Sequence, residues 1–389
     1  MTAETDLRGD PPTSTRTMVR VGLLLSLVVL LLGSVRFARY DWTGLPIERA
    51  PLSTERQVSP ECLEQIGTYT TESGRVVERV VVDEQQYMAL VQYFRGVPES
   101  ELQWTCLYDP FSYRSGVSWL AHWLPFDEAL SLAVTNVVLL LASVWLVLAT
   151  LRASGVTPRV LLATGVLFTV GWNTFYFGSG LLVETGVLFA VALGWYLIVT
   201  RRAMASRPAA RARVPVEGDR RHPRAGHARL GAAREHRERR DGGHLAWAPA
   251  AAAAVAFVAG VVVWRGHLLP TPDASWQVTP SLTNTTHNLT DVVSLFSFAV
   301  GVGPLFIPAF LQCRRMARED GWFRVLLHPA VVGVVLTLGI SAWSFITVDL
   351  TPRLMWMGFP FAASLAADWW AEGRPREWLE SAPVPGALR

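Results

Sequence analysis

Residues 129–150, ALSLAVTNVVLLLASVWLVLAT, decide the fold, because no charged side chain interrupts them. A helix rises 1.5 Å per residue, so about 20 apolar residues match the roughly 30 Å of hydrocarbon in a bilayer. Inside lipid the backbone must satisfy its own N–H and C=O groups, which makes such a run helical. Comparable apolar runs occupy 19–35, 160–177, 181–199, 246–264, 291–312, 325–348 and 354–370. The pattern predicts an all-α polytopic membrane protein of about eight transmembrane helices. The first run starts late, is closed by Arg36 and Arg39, and lacks a clean small-residue cleavage site. It reads as a retained helix rather than a signal peptide.

Composition agrees. The chain is 51% hydrophobic and 17% charged, against about 25% charged in ordinary soluble domains. An ordinary cytosolic enzyme is excluded. All 35 basic residues are Arg, a usage that reflects compositional bias rather than a site.

The net charge of +3 is an average over blocks of opposite sign. Arg152 and Arg159 flank one short connection; Arg314, Arg315, Arg318 and Arg324 flank another, and 13 Arg residues fall in 200–245. The positive-inside rule places these loops in the cytoplasm, with both termini. The resulting organisation is a disordered tail (1–18), a first span (19–37), an external region (38–128) and three spans (129–199). An Arg-rich cytoplasmic loop (200–245), four spans (246–370) and a tail (371–389) complete it. The predicted location is the cell membrane, multi-pass.

The 207–245 stretch, with 11 Arg and four His, has two readings. One is a basic loop against anionic lipid. The other is a sequence artefact, since a shifted frame in a GC-rich gene writes the same text. It has neither aromatic platforms nor a folded motif, so no nucleic-acid partner is expected.

Between 41 and 128 stand 14 acidic residues against six Arg. Arg79–Val82 reads as a strand and Asp83–Phe94 as a helix, which makes the external loop mixed α/β. The aromatics Trp104, Tyr108, Phe111, Tyr113, Trp119 and Trp123 suit the headgroup level. Cys62 and Cys106 share this external region and can form a disulfide or remain two thiols. Asn284-Thr285-Thr286 and Asn288-Leu289-Thr290, in a second external loop, fit the glycosylation acceptor pattern.

No phosphate loop, dinucleotide fingerprint, His-Glu-x-x-His pair or Cys-x-x-Cys pair is present. Chemistry is left to a few charged residues. Asp83, followed by Glu84, opens a helix; it is either a cap on free N–H groups or a carboxylate that serves as general base or metal ligand. Arg114 can grip a phosphate through its fork of donors, or snorkel. Glu184 sits a few residues into an apolar run, where an ionisable group marks a functional site unless it reaches water. Arg353 follows Asp349 in an external turn. Asn136, Asn173 and His328 read as polar contacts between helices. Asp83, Arg114, Glu184 and Arg353 fall on the external side, as for one cavity at the bilayer surface.

This order of elements resembles the GT-C superfamily of polytopic glycosyltransferases that use polyprenyl-phosphate sugars. The carriers are DEQQYMALVQYFRG (83–96), PFSYRSGVSWLAHWLP (110–125), FYFGSGLLVE (175–184) and the 349–360 turn. The resemblance implies transfer of a sugar from a polyprenyl-phosphate donor to an external glycan, lipid or protein acceptor. Asp83 would be the catalytic base or metal-site residue, with Glu84 its neighbour and Glu184 a secondary acid. Arg114 and Arg353 would contact the donor phosphate, and a divalent cation (Mg or Mn) is a possible cofactor. Such enzymes commonly have more spans than eight, and 207–245 breaks their apolar rhythm. The rival class is a transporter or a structural membrane protein.

Overall fold

The computed structural model describes residues 12–38, 68–70, 76–78, 83–102, 108–109, 115–171, 173–174, 178, 183–211, 263, 274–275, 280–347 and 352–371. The chain divides into two units, Met1–Arg207 with Pro272–Arg389, and Pro208–Thr271. In the second unit the described residues are 208–211, which end a helix, and Val263. The helical bundle belongs to the first unit.

Its helices are α1 (Thr15–Ala38), α2 (Asp83–Phe94), α3 (Gly116–Ala121), α4 (Glu128–Ala153), α5 (Pro158–Val170) and α6 (Glu184–Arg211). There follow α7 (Leu282–Thr290), α8 (Val292–Asp320), α9 (Trp322–Leu326), α10 (Pro329–Thr347) and α11 (Phe359–Trp370), with 3-10 turns at Glu99–Glu101 and Pro352–Gly358. Local chemistry marks the starts. The Asp127 carboxylate accepts from the Leu130 N–H at 2.7 Å and caps α4, and Pro158 opens α5 where no amide hydrogen is needed.

The expectation of about eight spans with a mixed α/β loop is corrected on both counts. Among the described residues four helices are long and apolar enough to cross a membrane: Thr15–Val35, Glu128–Ala153, Glu184–Arg201 and Pro329–Thr347. Within the run at 160–177, α5 ends at Val170 before the extended Gly171. Its 13 residues rise about 20 Å, short of the hydrocarbon thickness. The run at 291–312 forms the first part of α8, but Gly303 at φ 65° breaks it, with Pro304 and Pro308 behind. The run at 354–370 begins as the Pro352–Gly358 3-10 turn and leaves α11 only 12 residues. The 246–264 run, Val263 aside, lies outside the described residues. A hydropathy sum overlooks Gly and Pro as breakers, and among the described residues three of the expected spans fall short of a long unbroken helix.

Extended structure among the described residues is confined to ladders of two or three residues. β1 (Thr68–Thr70) pairs antiparallel with β2 (Val76–Glu78), and β3 (Tyr108–Asp109) parallel with β4 (Ala274–Ser275). Strands this short build no layer. The fold is all-α, and the predicted strand 79–82 lies outside the described residues. Its long apolar helices make the chain a multi-pass membrane protein.

Two packing centres organise the bundle. At one, α1 lies against α4 and α5: a Cβ on Gly22 would come within 2.5 Å of the Trp145 ring, and Trp145 Nε1 donates to Ser26 Oγ at 3.1 Å. Small residues permit such approach between membrane helices. Thr13 donates through N and Oγ1 to the Val156 carbonyl at 3.0 and 2.7 Å, so the start of α1 is tied to the α4–α5 turn. At the other centre stands α11. Phe359 meets Phe168 of α5 and Phe306 of α8 edge to face, at 6.2 and 5.7 Å between centroids. Trp195 of α6 donates to Ser364 Oγ at 2.8 Å and crosses Phe361 at 5.3 Å.

Candidate functional site

The Asp83 helix is docked by its far end. Arg95, just past α2, donates to Glu128 Oε1 at 3.2 Å and to Ser131 Oγ at 3.0 Å. It also donates to the Leu124 and Phe126 carbonyls at 2.9 and 2.7 Å. A guanidinium carries five donors in a rigid fork, and here the fork closes the α3–α4 corner onto α2. Ser118 of α3 adds a 3.1 Å hydrogen bond to the Tyr87 carbonyl, with Tyr87 itself fully buried. Sequence reasoning missed Arg95. Its signal was a lone cation before Gly96 at a helix end, a pattern that ordinarily means only a favourable helix dipole.

Glu184 begins α6 and is 3% exposed. Thr185, next to it, donates its hydroxyl to Asn136 Oδ1 on α4. A Cβ at Gly186 would approach Val117 Cγ2 of α3 at 2.7 Å, so the opening turn of α6 presses on the helix that holds α2. Asn173, also buried, donates to the Gly301 carbonyl of α8 at 3.0 Å, two residues before the break at Gly303. Asn136 and Asn173 therefore do connect elements. His328 is buried at the entry to α10. The polar bonds form a seam at the end of the bundle where α4 and α6 begin and α5 ends. Each interhelical hydrogen bond of this kind contributes about 0.6 kcal/mol on average.

Asp83 and Glu84 are the first two residues of α2, and Arg353 lies in the Pro352–Gly358 turn that follows α10. Their backbone is described and their side chains are not. Arg114 lies outside the described residues, one position before Ser115 and α3. The structure thus brings the starts of α3 and α6 together, while the reach from Asp83 to Glu184 stays outside the described side chains. Cys62 and Cys106 lie outside the described residues; Cys313 is a free thiol on α8.

The glycosylation pair divides. Asn284 is on α7 with its side chain outside the described set. Asn288, on the same helix, is fully buried and donates its amide to the Phe345 carbonyl of α10 at 2.7 Å. In this conformation its nitrogen is a helix–helix contact.

Among the described residues no group of three or more His, Cys, Asp and Glu side chains is gathered for a metal ion. The described donors therefore do not make a Mg or Mn site. No protein-family model, curated protein or solved structure matches the chain.

Proposed function

We propose that the protein is a membrane glycosyltransferase that moves a sugar from a polyprenyl-phosphate donor to an acceptor outside the membrane. The observation that supports this reading best is Glu184, a carboxylate nearly sealed between membrane helices beside the helix that holds α2. Ionisable groups are expensive there and are retained for function. The lipid tail would stay in hydrocarbon while the anomeric carbon meets the acceptor at the rim. In the transfer, the acceptor oxygen bonds to the anomeric carbon and the carbon–oxygen bond to phosphate breaks, its electron pair leaving with the phosphate. Asp83 takes the acceptor's hydroxyl proton, assisted by Glu84. Arg114 and Arg353 stabilise the phosphate charge, and Glu184 serves as a secondary acid.

The test uses the full chain in vesicles supplied with polyprenyl-phosphate sugar and a glycan acceptor. Asp83→Asn lowers transfer by about 10²–10⁴-fold, the usual worth of a positioned general base, and Glu184→Gln lowers it less. Full transfer by Asp83→Asn removes Asp83 as the base. Absence of transfer by the wild-type chain across polyprenyl donors removes the enzyme reading.

One observation favours a transporter as the second reading. The break of α8 at Gly303, followed by Pro304 and Pro308, makes a discontinuous helix, the device from which many transporters build a midplane site. Accumulation of solute by the same vesicles, without sugar transfer, selects this reading.

A further inference from the structure

At the other end of α8 the chain turns a corner that carries both charge and exposed apolar rings. Arg314 and Arg318 stand one helical turn apart, on the same face. Both are exposed, and neither makes an ion pair among the described residues. Their neighbours are engaged: Arg315 reaches Glu319 at 3.9 Å and lies over the Trp369 ring at 5.6 Å, and Arg324 reaches Asp320 at 3.6 Å. Gly321 then takes φ 83° and swings the chain out of the α8 axis. Val325 is buried and pins α9, while Trp322 and Phe323 are 60% and 76% exposed and Leu326 and Leu327 more than half exposed.

Water is a poor solvent for such a group of side chains, and the adjoining helices show what surrounds it. Ile307 and Phe310 on α8, and Val335, Leu336 and Ile340 on α10, form the exposed apolar flank of the bundle. The candidate span of α10 begins at Pro329, two residues after Leu327. The corner therefore sits at the hydrocarbon boundary, its rings at the depth where Trp and Phe anchor and its guanidiniums at the depth of lipid phosphates. A guanidinium binds a phosphate through two parallel hydrogen bonds. Across 314–324 four Arg face two carboxylates, Glu319 and Asp320, so the corner carries surplus positive charge.

We propose that this corner is a binding site for anionic phospholipid headgroups of the bilayer, with Arg314 and Arg318 as the phosphate ligands and Trp322 and Phe323 as the apolar seat. The purified full chain in detergent is titrated with phosphatidylglycerol or phosphatidylcholine, and bound lipids are counted by native mass spectrometry. Wild type prefers phosphatidylglycerol. The double variant Arg314→Gln/Arg318→Gln loses about fivefold in affinity for it per guanidinium removed and with it the preference over phosphatidylcholine. Arg201→Gln, at an exposed cation elsewhere, retains the preference, and the circular dichroism of every variant matches wild type. An unchanged preference in the double variant overturns the proposal. So does displacement of phosphatidylglycerol by millimolar inorganic phosphate, which identifies a free anion as the ligand.

Discussion

Helices α1 and α11 are both apolar, yet they occupy opposite environments. α1 is long and rich in Leu; Leu23 and Leu31 are 61% and 59% exposed, and only Leu25 and Val29 of its apolar run reach the core. α11 is half that length, and its Phe359, Ala362, Ala363, Leu365, Ala366 and Ala367 are all buried. Lipid tails are as apolar as Leu, so a bilayer offers no drive to bury Leu in protein. What sends a helix inward is close packing, and Ala permits that where Leu does not. Hydropathy therefore ranks the two helices together, while side-chain size separates them.

Overpacking tests this contrast most severely. Ala366→Leu inserts bulk where no space exists and should lower stability in a reversible micelle unfolding assay by about 3 kcal/mol. A change within 0.5 kcal/mol would show that α11 lies in a looser setting than its burial implies. The second largest effect belongs to the α2 dock. Arg95→Ala strips Glu128 and Ser131 of their shared donor and should cost about 2 kcal/mol, with protease cleavage rising within 83–102; an unaltered cleavage pattern sinks the clamp. Third comes Trp195→Phe, which keeps the ring against Phe361 and deletes the 2.8 Å bond to Ser364. A loss of about 0.6–1.7 kcal/mol in the same assay is expected, abolished when Ser364→Ala is already present. Smallest is Leu27→Ala on the exposed side of α1, expected within about 0.5 kcal/mol; a loss above 2 kcal/mol would mean that a protein surface covers that side.

Features that depend on neighbours in sequence were legible beforehand. The uncharged run at 129–150 is a helix long and apolar enough to cross a membrane, because length and apolar continuity act locally, and Asp83 does start a helix. Asn136 and Asn173 were legible as contacts, since an amide in an apolar run must find a partner. Their partners, the Thr185 hydroxyl and the Gly301 carbonyl, were not. The burial of Asn288 was equally illegible, as its motif specifies an acceptor and says nothing of α10 lying against it. The clamp at Arg95 draws on residues 29 to 36 positions away, a distance over which sequence patterns carry no register.

The amino-acid sequence alone determined that this chain enters membranes and that its charge is segregated into blocks, for both follow from transfer free energies summed along a line. Among the described residues, tertiary structure decided which apolar runs form long helices and which fill the interior. That choice turns on where Gly303 and the Pro352–Gly358 turn interrupt the helix, and on whether a neighbour approaches closely enough to replace lipid. It also decided that Glu184 is enclosed, because enclosure is a property of the helices packed around a residue.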